Sequence, residues 1–270
     1  ALPIYRLAPG RTEDVDCALP EEAAPEAPVK WPIDLRARDA DTGVVVLDRV
    51  WVSFMPCRRA ARPPAVDADL GDWAGPPAVL LKDAAWVRPR RDWGGPADLS
   101  GAVRLAWDDR GLYLAVEVRD ADWVEPAAGP APGGDSIQVA FDPVPGVRQE
   151  YHQQTMDYSK KYSEYTLALT AAGPAVYRAI SWDRDRPAGP VPASEAGLAV
   201  RRTAGGAVYE AAFTWAGLSM DQPEPGRAIG LALALQDADP GDRPGRAMEW
   251  FGGIVHVKDP DKFGQIVLMP

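Results

Sequence analysis

Three consecutive stretches between Val103 and Asp142 alternate apolar and polar residues with a period of two. Successive side chains of a β-strand point to opposite faces of a sheet, so this alternation predicts strands with one buried face. Between the first two stretches, Asp108-Asp109-Arg110-Gly111 favours a tight turn. The pattern therefore predicts an antiparallel hairpin followed by a third strand. The apolar positions are Val103, Leu105 and Trp107, then Leu112, Leu114, Val116 and Val118, then Ile137, Val139 and Phe141.

The rest of the chain adds further strand-like segments and no convincing long helix. Together they make about ten strands, which predicts an all-β fold, an antiparallel β-sandwich of the jelly-roll or immunoglobulin-like kind. The additional segments are 79–81, 165–169, 175–180, 198–201, 209–214, 229–235 and 265–268.

Composition divides the chain into three parts. Residues 1–28 have little periodicity and are rich in Glu, Ala and Pro, which is typical of an extended arm or linker. Residues 29–64 predict a partial β-unit, the tail of a preceding β-domain, followed by a proline-rich connector. Two or three strands cannot bury both of their faces, so we expect this unit to pack on the sandwich or on a partner chain. Residues 65–270 form the predicted sandwich.

The balance of charge excludes two classes of partner. The chain has 29 basic and 39 acidic side chains and a net charge of -10, whereas nucleic acids and anionic membranes require a basic surface. No apolar run approaches the ~20 residues of a membrane helix. We therefore expect no nucleic-acid partner and no membrane span.

Motifs of catalysis are missing from the sequence. The two histidines, His152 and His256, exclude a three-histidine metal site, and there is no P-loop, nucleophile elbow or dinucleotide motif. Paired carboxylates such as Asp237 and Asp239 lie in turn sequences, where aspartate is favoured because it caps its own backbone. We therefore predict that the chain is not an enzyme.

Two compositional features predict stability. Cys17 and Cys57 are the only cysteines, and a bond between them would tie the arm to the β-unit in an oxidising compartment; free, buried thiols are the alternative. The sequence also has no asparagine and 28 prolines. This composition is typical of coding bias in GC-rich genomes, which is the favoured interpretation, and thermostability is the alternative.

Several motifs, in a constant order, resemble carbohydrate-binding module family 9 and its bacterial relatives. The resemblance covers about residues 65–270 and is more specific than a match to one short motif. The matching motifs are Val66 to Trp73, Trp107-Asp108-Asp109 with Leu112-Tyr113-Leu114, Gly134 to Val139 with Phe141-Asp142, Tyr209 to Trp215, Gly230 to Asp239 with Trp250, and Asp259-Pro260 with Lys262-Phe263-Gly264.

This resemblance implies an extracellular, non-catalytic β-sandwich that binds polysaccharide or oligosaccharide, with calcium as a structural ion whose ligands the motifs do not assign. Ten tryptophans offer aromatic faces for sugar rings, although Trp73, Trp107 and Trp215 are expected in the core. The best-known members hold a sugar between two tryptophans. Here those places hold Pro132 or its neighbours and Val257.

The chain departs from the family at two further site positions. The acidic residue usual in the third motif is Gln138, and the basic residue expected on the next strand aligns near Thr166. We therefore predict a relocated sugar site. Its residues are Trp123, Gln138, Trp250, His256 and Lys258.

Two alternatives stay open because a fold does not carry its function with it. The first is a structural or interaction subunit of an extracellular assembly, which has lost sugar binding and joins other protein subunits through its N-terminal arm. The second is a haem-binding redox domain of related fold, with His152, Met156 and His256 as the available ligands. No haem-attachment motif supports this second alternative.

Overall fold

The computed structural model describes residues 29–38, 42–89, 93–126, 133–145, 151–152, 157–158, 161–221, 223–240 and 245–270, with the backbone alone for 29–37, 48–53, 151–152 and 157–158. The described chain is almost entirely strand. Its strands are β1 Val29–Arg38, β2 Val45–Arg59, β3 Val79–Leu81, β4 Val87–Arg88, β5 Leu99–Trp107, β6 Gly111–Asp120, β7 Ser136–Asp142, β8 Tyr151–His152, β9 Asp157–Tyr158, β10 Ser163–Thr170, β11 Gly173–Ile180, β12 Gly189–Pro190, β13 Ala196–Thr203, β14 Gly206–Thr214, β15 Ala228–Asp237, β16 Arg246–Trp250 and β17 Gly264–Met269.

Helical structure in these ranges is confined to single 3-10 turns, Leu70–Asp72, Ala84–Trp86 and Pro260–Lys262. No helix that the structure describes has the length and apolar character needed to cross a membrane. The predicted all-β class is therefore confirmed.

A single curled sheet forms both layers of the sandwich. Its order is β12-β11-β10-β7-β15-β17-β2-β5-β6-β14-β13, with β16 and β4 beyond β15 and β3 on β5. We call β12, β11, β10, β7, β15, β16 and β4 layer one, and β3, β5, β6, β14 and β13 layer two. Strands β17 and β2 join the two layers. Aromatic rings fill the space between the layers, since Phe141 of β7 lies 5.2 Å from Phe213 of β14, centroid to centroid.

The predicted hairpin is β5 and β6, with Val103 opposite Val116. Its turn is held by Asp108, whose Oδ1 accepts the backbone N–H groups of Arg110 and Gly111. Position 111 requires glycine because a Cβ there would lie 2.1 Å from the carbonyl oxygen of Phe213. The third predicted strand, β7, forms as expected but lies in the opposite layer, between β10 and β15.

The expected core tryptophans are confirmed. Trp73, Trp107 and Trp215 are each at most 5% exposed. The Trp107 N–H donates to the carbonyl oxygen of Met269 at 2.8 Å, and the Trp215 N–H donates to that of Asp108 at 2.8 Å. These bonds tie β5 and its turn to the end of the chain and to the loop after β14.

Strand β2 belongs partly to the sandwich. Its residues Met55 to Arg58 pair in parallel with Ile266 to Met269 of β17, and Arg58 and Arg59 pair with β5. The sandwich therefore begins before residue 65, and the predicted unit 29–64 contributes a strand to it. Cys57 on this strand is fully buried. Cys17 lies outside the described residues, so its bond to Cys57 stays a prediction.

The rest of β2 pairs with β1 as a two-stranded ribbon, from Val29 opposite Phe54 to Arg38 opposite Val45. Near the end of the ribbon, Val44, Val45, Val46 and Leu47 are 40–73% exposed. Three of them, Val45 to Leu47, are consecutive in β2, which is unusual because alternation in a strand normally buries every second residue.

Candidate functional site

The outer face of layer one carries the predicted position Gln138. In the register of the strands, Thr166 of β10, Gln138 of β7, Ala234 of β15 and Glu249 of β16 stand opposite one another. They share this face because they alternate with core residues such as Ile137 and Leu235. The surrounding residues of the same face are alanines at 140, 168, 232 and 247, all buried.

Two glutamine side chains meet on this face, and we call them the amide pair. Gln236 Nε2 donates to Gln138 Oε1 at 2.9 Å, and both residues are half-buried. The pairing leaves the Gln138 amide N–H groups and the Gln236 carbonyl oxygen for other partners. Beside them, Thr166 Oγ1 is buried and has no hydrogen-bond partner among the described residues. The amide pair can thus both donate to and accept from hydroxyl groups.

A loop of residues 251–258 covers the neighbouring alanines. Ile254 packs on them, and Glu249 Oε1 accepts the backbone N–H groups of Ile254 at 3.0 Å and Val255 at 3.1 Å. Lys258 Nζ donates to Glu164 Oε1 at 2.7 Å, Oε2 at 2.8 Å and the Ile254 carbonyl oxygen at 2.6 Å. Burial raises the pKa of Glu164, while Lys258 opposes the rise. Lys258 therefore anchors the loop to the sheet.

The five predicted sugar-binding residues do not converge. Gln138 lies on the outer face, Lys258 anchors the covering loop, and His256 is exposed on that loop. Trp250 is 1% exposed and points into the core, stacked on Phe251 at 4.7 Å between ring centroids, so it presents no surface platform. Trp123 lies near the start of β7, so Gln138 stands between it and Lys258. The Arg202 guanidinium lies 3.9 Å over the Trp123 ring.

A cluster of buried carboxylates lies at one end of the sandwich. Asp120 ends β6, Asp135 precedes β7 and Asp237 ends β15, and one oxygen of each lies within 4.8 Å of the others. All three are at most 6% exposed. Because β6 belongs to layer two while β7 and β15 belong to layer one, the cluster connects the two layers.

The hydrogen bonds of the cluster leave negative charge uncompensated. Asp135 accepts the backbone N–H groups of Ala238 and Val124, and Asp237 Oδ2 accepts Arg246 Nε at 3.0 Å. Arg246 is shared, since it also pairs with Asp98 and Asp239. Asp237 Oδ1 is buried without a hydrogen-bond partner in the described part of the chain.

The pKa values of all three carboxyl groups of the cluster are raised, chiefly by burial. Burial raises the pKa of Asp135 and of Asp237 to about 7, and it raises that of Asp120 as well. Buried carboxylate oxygens with a surplus of negative charge are ligands that hard cations such as Ca²⁺ prefer. The sequence interpretation missed this cluster because it assigned Asp237 to turn chemistry. The available signal was that each aspartate stands at the end of an alternating strand.

Comparison with known proteins supports the resemblance. A family model described as carbohydrate family 9 binding domain-like matches residues 80–270. The fold is similar to a family 9 carbohydrate-binding module from Caldicellulosiruptor kristjanssonii in complex with cellotriose, with a TM-score of 0.57, 18% identity, and coverage of 79% of this chain and 93% of that one. It is also similar to a module from the same organism in complex with glucose, with a TM-score of 0.58, 17% identity and coverage of 79% and 95%. No curated protein sequence matches significantly.

Proposed function

Because the chain belongs to the carbohydrate family 9 binding domain-like family, we propose that it is a non-catalytic module that binds carbohydrate through the outer face of layer one. The observation that carries the proposed site is the amide pair. Its free N–H and carbonyl groups lie beside the buried, unpartnered Thr166 Oγ1, and such groups match the hydroxyls of a sugar. The exposed His256 on the adjoining loop is available at the rim.

The ligand we propose is a glucan oligosaccharide, since the similar modules are in complex with cellotriose and with glucose. Affinity is expected to be modest, because the described residues of the proposed site form no aromatic sandwich and such stacking contributes about 0.5–1.5 kcal/mol per contact beyond buried area. A ligand that is a polysaccharide, or a fragment of one, also supports an extracellular location.

Titration calorimetry with cellotriose tests this proposal. We expect binding by the parent protein and a loss of at least about tenfold in affinity on replacing both amides, Gln138→Ala with Gln236→Ala, because two hydrogen-bonding groups are removed. Gln265→Ala is the matched control. Gln265 stands opposite Gly230, six residues along β15 from Gln236, or roughly 20 Å at the rise of a strand. No binding by the parent, or equal losses in the two variants, would reject the site.

We further propose that Asp120, Asp135 and Asp237 hold a structural Ca²⁺. The unpartnered Asp237 Oδ1 and the raised pKa values support a bound cation, and the all-oxygen donor set favours calcium over softer metals. Such an ion would neutralise the cluster. The three aspartates would then hold the ends of β6, β7 and β15 together.

The exposed segment 44–47 suggests a protein partner. A two-stranded ribbon is marginally stable alone, and exposed apolar residues at its end favour association. We propose that this ribbon contacts a neighbouring domain or subunit.

A further inference from the structure

The outer face of layer two carries an open groove of about 480 Å³. Its floor contains a row in which Leu80 of β3, Ala102 of β5, Glu117 of β6 and Val208 of β14 stand opposite one another. These residues alternate with core positions, so they face away from the other layer. The groove is therefore on the opposite side of the molecule from the amide pair.

A chain segment covers the adjoining half of this face and stops short of the groove. Trp73 packs on Ala106, Tyr113 and Ala115 and donates its N–H to Glu210. Nothing comparable covers the groove within the ranges that the structure describes, and Leu80 in its floor is 54% exposed. The groove is thus an accessible cleft that crosses neighbouring strands.

Cationic side chains line the groove and continue beyond it. Lys82 and Arg119 line it, and Arg201 extends the row on β13. The acidic residue of the floor, Glu117, is already neutralised, because its Oε2 lies 2.7 Å from Arg104 Nη1. None of the three cations forms an ion pair with a residue of the described ranges. In a chain of net charge -10, such a local surplus of positive charge attracts an anionic ligand.

We propose that this groove is a second carbohydrate-binding site, and that it takes an acidic polysaccharide whose carboxylates pair with Lys82 and Arg119. Leu80, which is 54% exposed, offers apolar surface for the face of a sugar ring, and the hydroxyl of Thr203 adds a hydrogen-bonding group. The volume falls within the range of about 300–1,000 Å³ that is usual for ligand sites. A folded protein partner would need roughly 800 Å² of contact surface, which is far more than the lining of this groove offers.

The decisive experiment compares two trimers with the same backbone. Cellotriouronic acid carries a carboxylate at C6 of each unit, whereas cellotriose carries a hydroxymethyl group there. Titration calorimetry should show binding of the acid by the parent protein, weakened by added salt because exposed charges are screened. In the double variant Lys82→Gln with Arg119→Gln, affinity for the acid should fall by about tenfold or more, since two charge-assisted contacts are lost.

The variants of the amide pair are the matched control. Gln138→Ala with Gln236→Ala should leave binding of the acid unchanged, and the groove variant should leave binding of cellotriose unchanged. If the parent protein does not bind cellotriose but its groove binds the acid, the proposed function of layer one is rejected and the groove proposal is supported. The groove proposal is overturned if the parent does not bind the acid at millimolar concentration, if the groove variant binds it equally well, or if the amide variant loses it.

Discussion

In the absence of divalent cations, the free energy of unfolding of this protein should decrease as the pH rises from about 4 to about 7. Burial raises the pKa of Asp135 and Asp237 from 3.8 to about 7. In this window the unfolded chain has released both protons while the metal-free folded protein still holds them. The folded state binds more protons, so the free energy of unfolding decreases with rising pH, by at most about 1.4 kcal/mol per pH unit for each proton.

Calcium at the proposed site should reverse this loss, because it would bind the ionised carboxylates and only the folded state presents all three together. A ligand at 100 times its Kd stabilises the folded state by about 2.7 kcal/mol. In a domain of this size each kcal/mol raises Tm by about 2–4 °C, so calcium should raise Tm by roughly 5–11 °C near neutral pH. The rise should be smaller at about pH 5, where protons compete. Scanning calorimetry with EGTA or with calcium measures both effects.

Two matched variants decide whether the cluster is responsible. Asp120→Asn removes one ligand that does not contact Arg246, so it should reduce the calcium-dependent rise in Tm while sparing the ion pairs of the cluster. Asp122→Asn changes an exposed residue two positions away and should behave like the parent. An equal calcium response in the parent and in Asp120→Asn would refute the site. Stability of the metal-free protein that is flat or rising between about pH 4 and 7 would refute the protonation argument.

Four further outcomes are expected. Lys258→Met should lower the free energy of unfolding measured in urea by roughly 2–3 kcal/mol, which is less than the loss of a fully buried partner because Lys258 is 42% exposed. Adding Glu164→Gln to this variant should recover part of the loss. An unchanged urea midpoint in Lys258→Met would contradict the anchoring role. Leu47→Lys should reduce self-association measured by light scattering, and an unchanged molar mass would contradict association through the ribbon. Non-reducing peptide mapping should recover Cys17 bonded to Cys57, whereas two alkylatable thiols would reject the bond. Tm should lie above the mesophile range of about 45–65 °C, and a value within it would leave only coding bias to explain the composition.

The fold was predictable because its strands alternate cleanly. Val103 to Trp107 and Leu112 to Val118 form the expected hairpin with the expected turn. The position of β7 in the sheet was not predictable from alternation. A two-residue period shows which side chains of a strand are buried, but it does not show which strands pair with it. The contribution of β2 to the sandwich was also missed, since its pairing with β17 joins residues more than two hundred positions apart in parallel.

The site was less predictable, and Trp250 shows why. A tryptophan in the motif region of a binding family favours a sugar platform, but Met248 and Trp250 share one face of β16 and Glu249 takes the other. Because Met248 and Trp250 are both at most 1% exposed, that face is the core. The alternation in β16 already indicated that Trp250 is buried, but the resemblance to the family led us to predict it as a sugar-binding residue. Gln138 was placed correctly on the outer face by the same rule, whereas its partner Gln236 depends on the register of β7 and β15.

The acidic cluster links the two proposed binding faces through the strands themselves. Asp120 ends β6, whose preceding residue Arg119 lines the groove of layer two. Asp237 ends β15, whose preceding residue Gln236 belongs to the amide pair of layer one. Adjacent residues of a strand point to opposite faces, so each aspartate turns inward where its neighbour turns outward. A cation that holds the aspartates together therefore also fixes the backbone beneath both faces, and its removal should weaken binding on each of them.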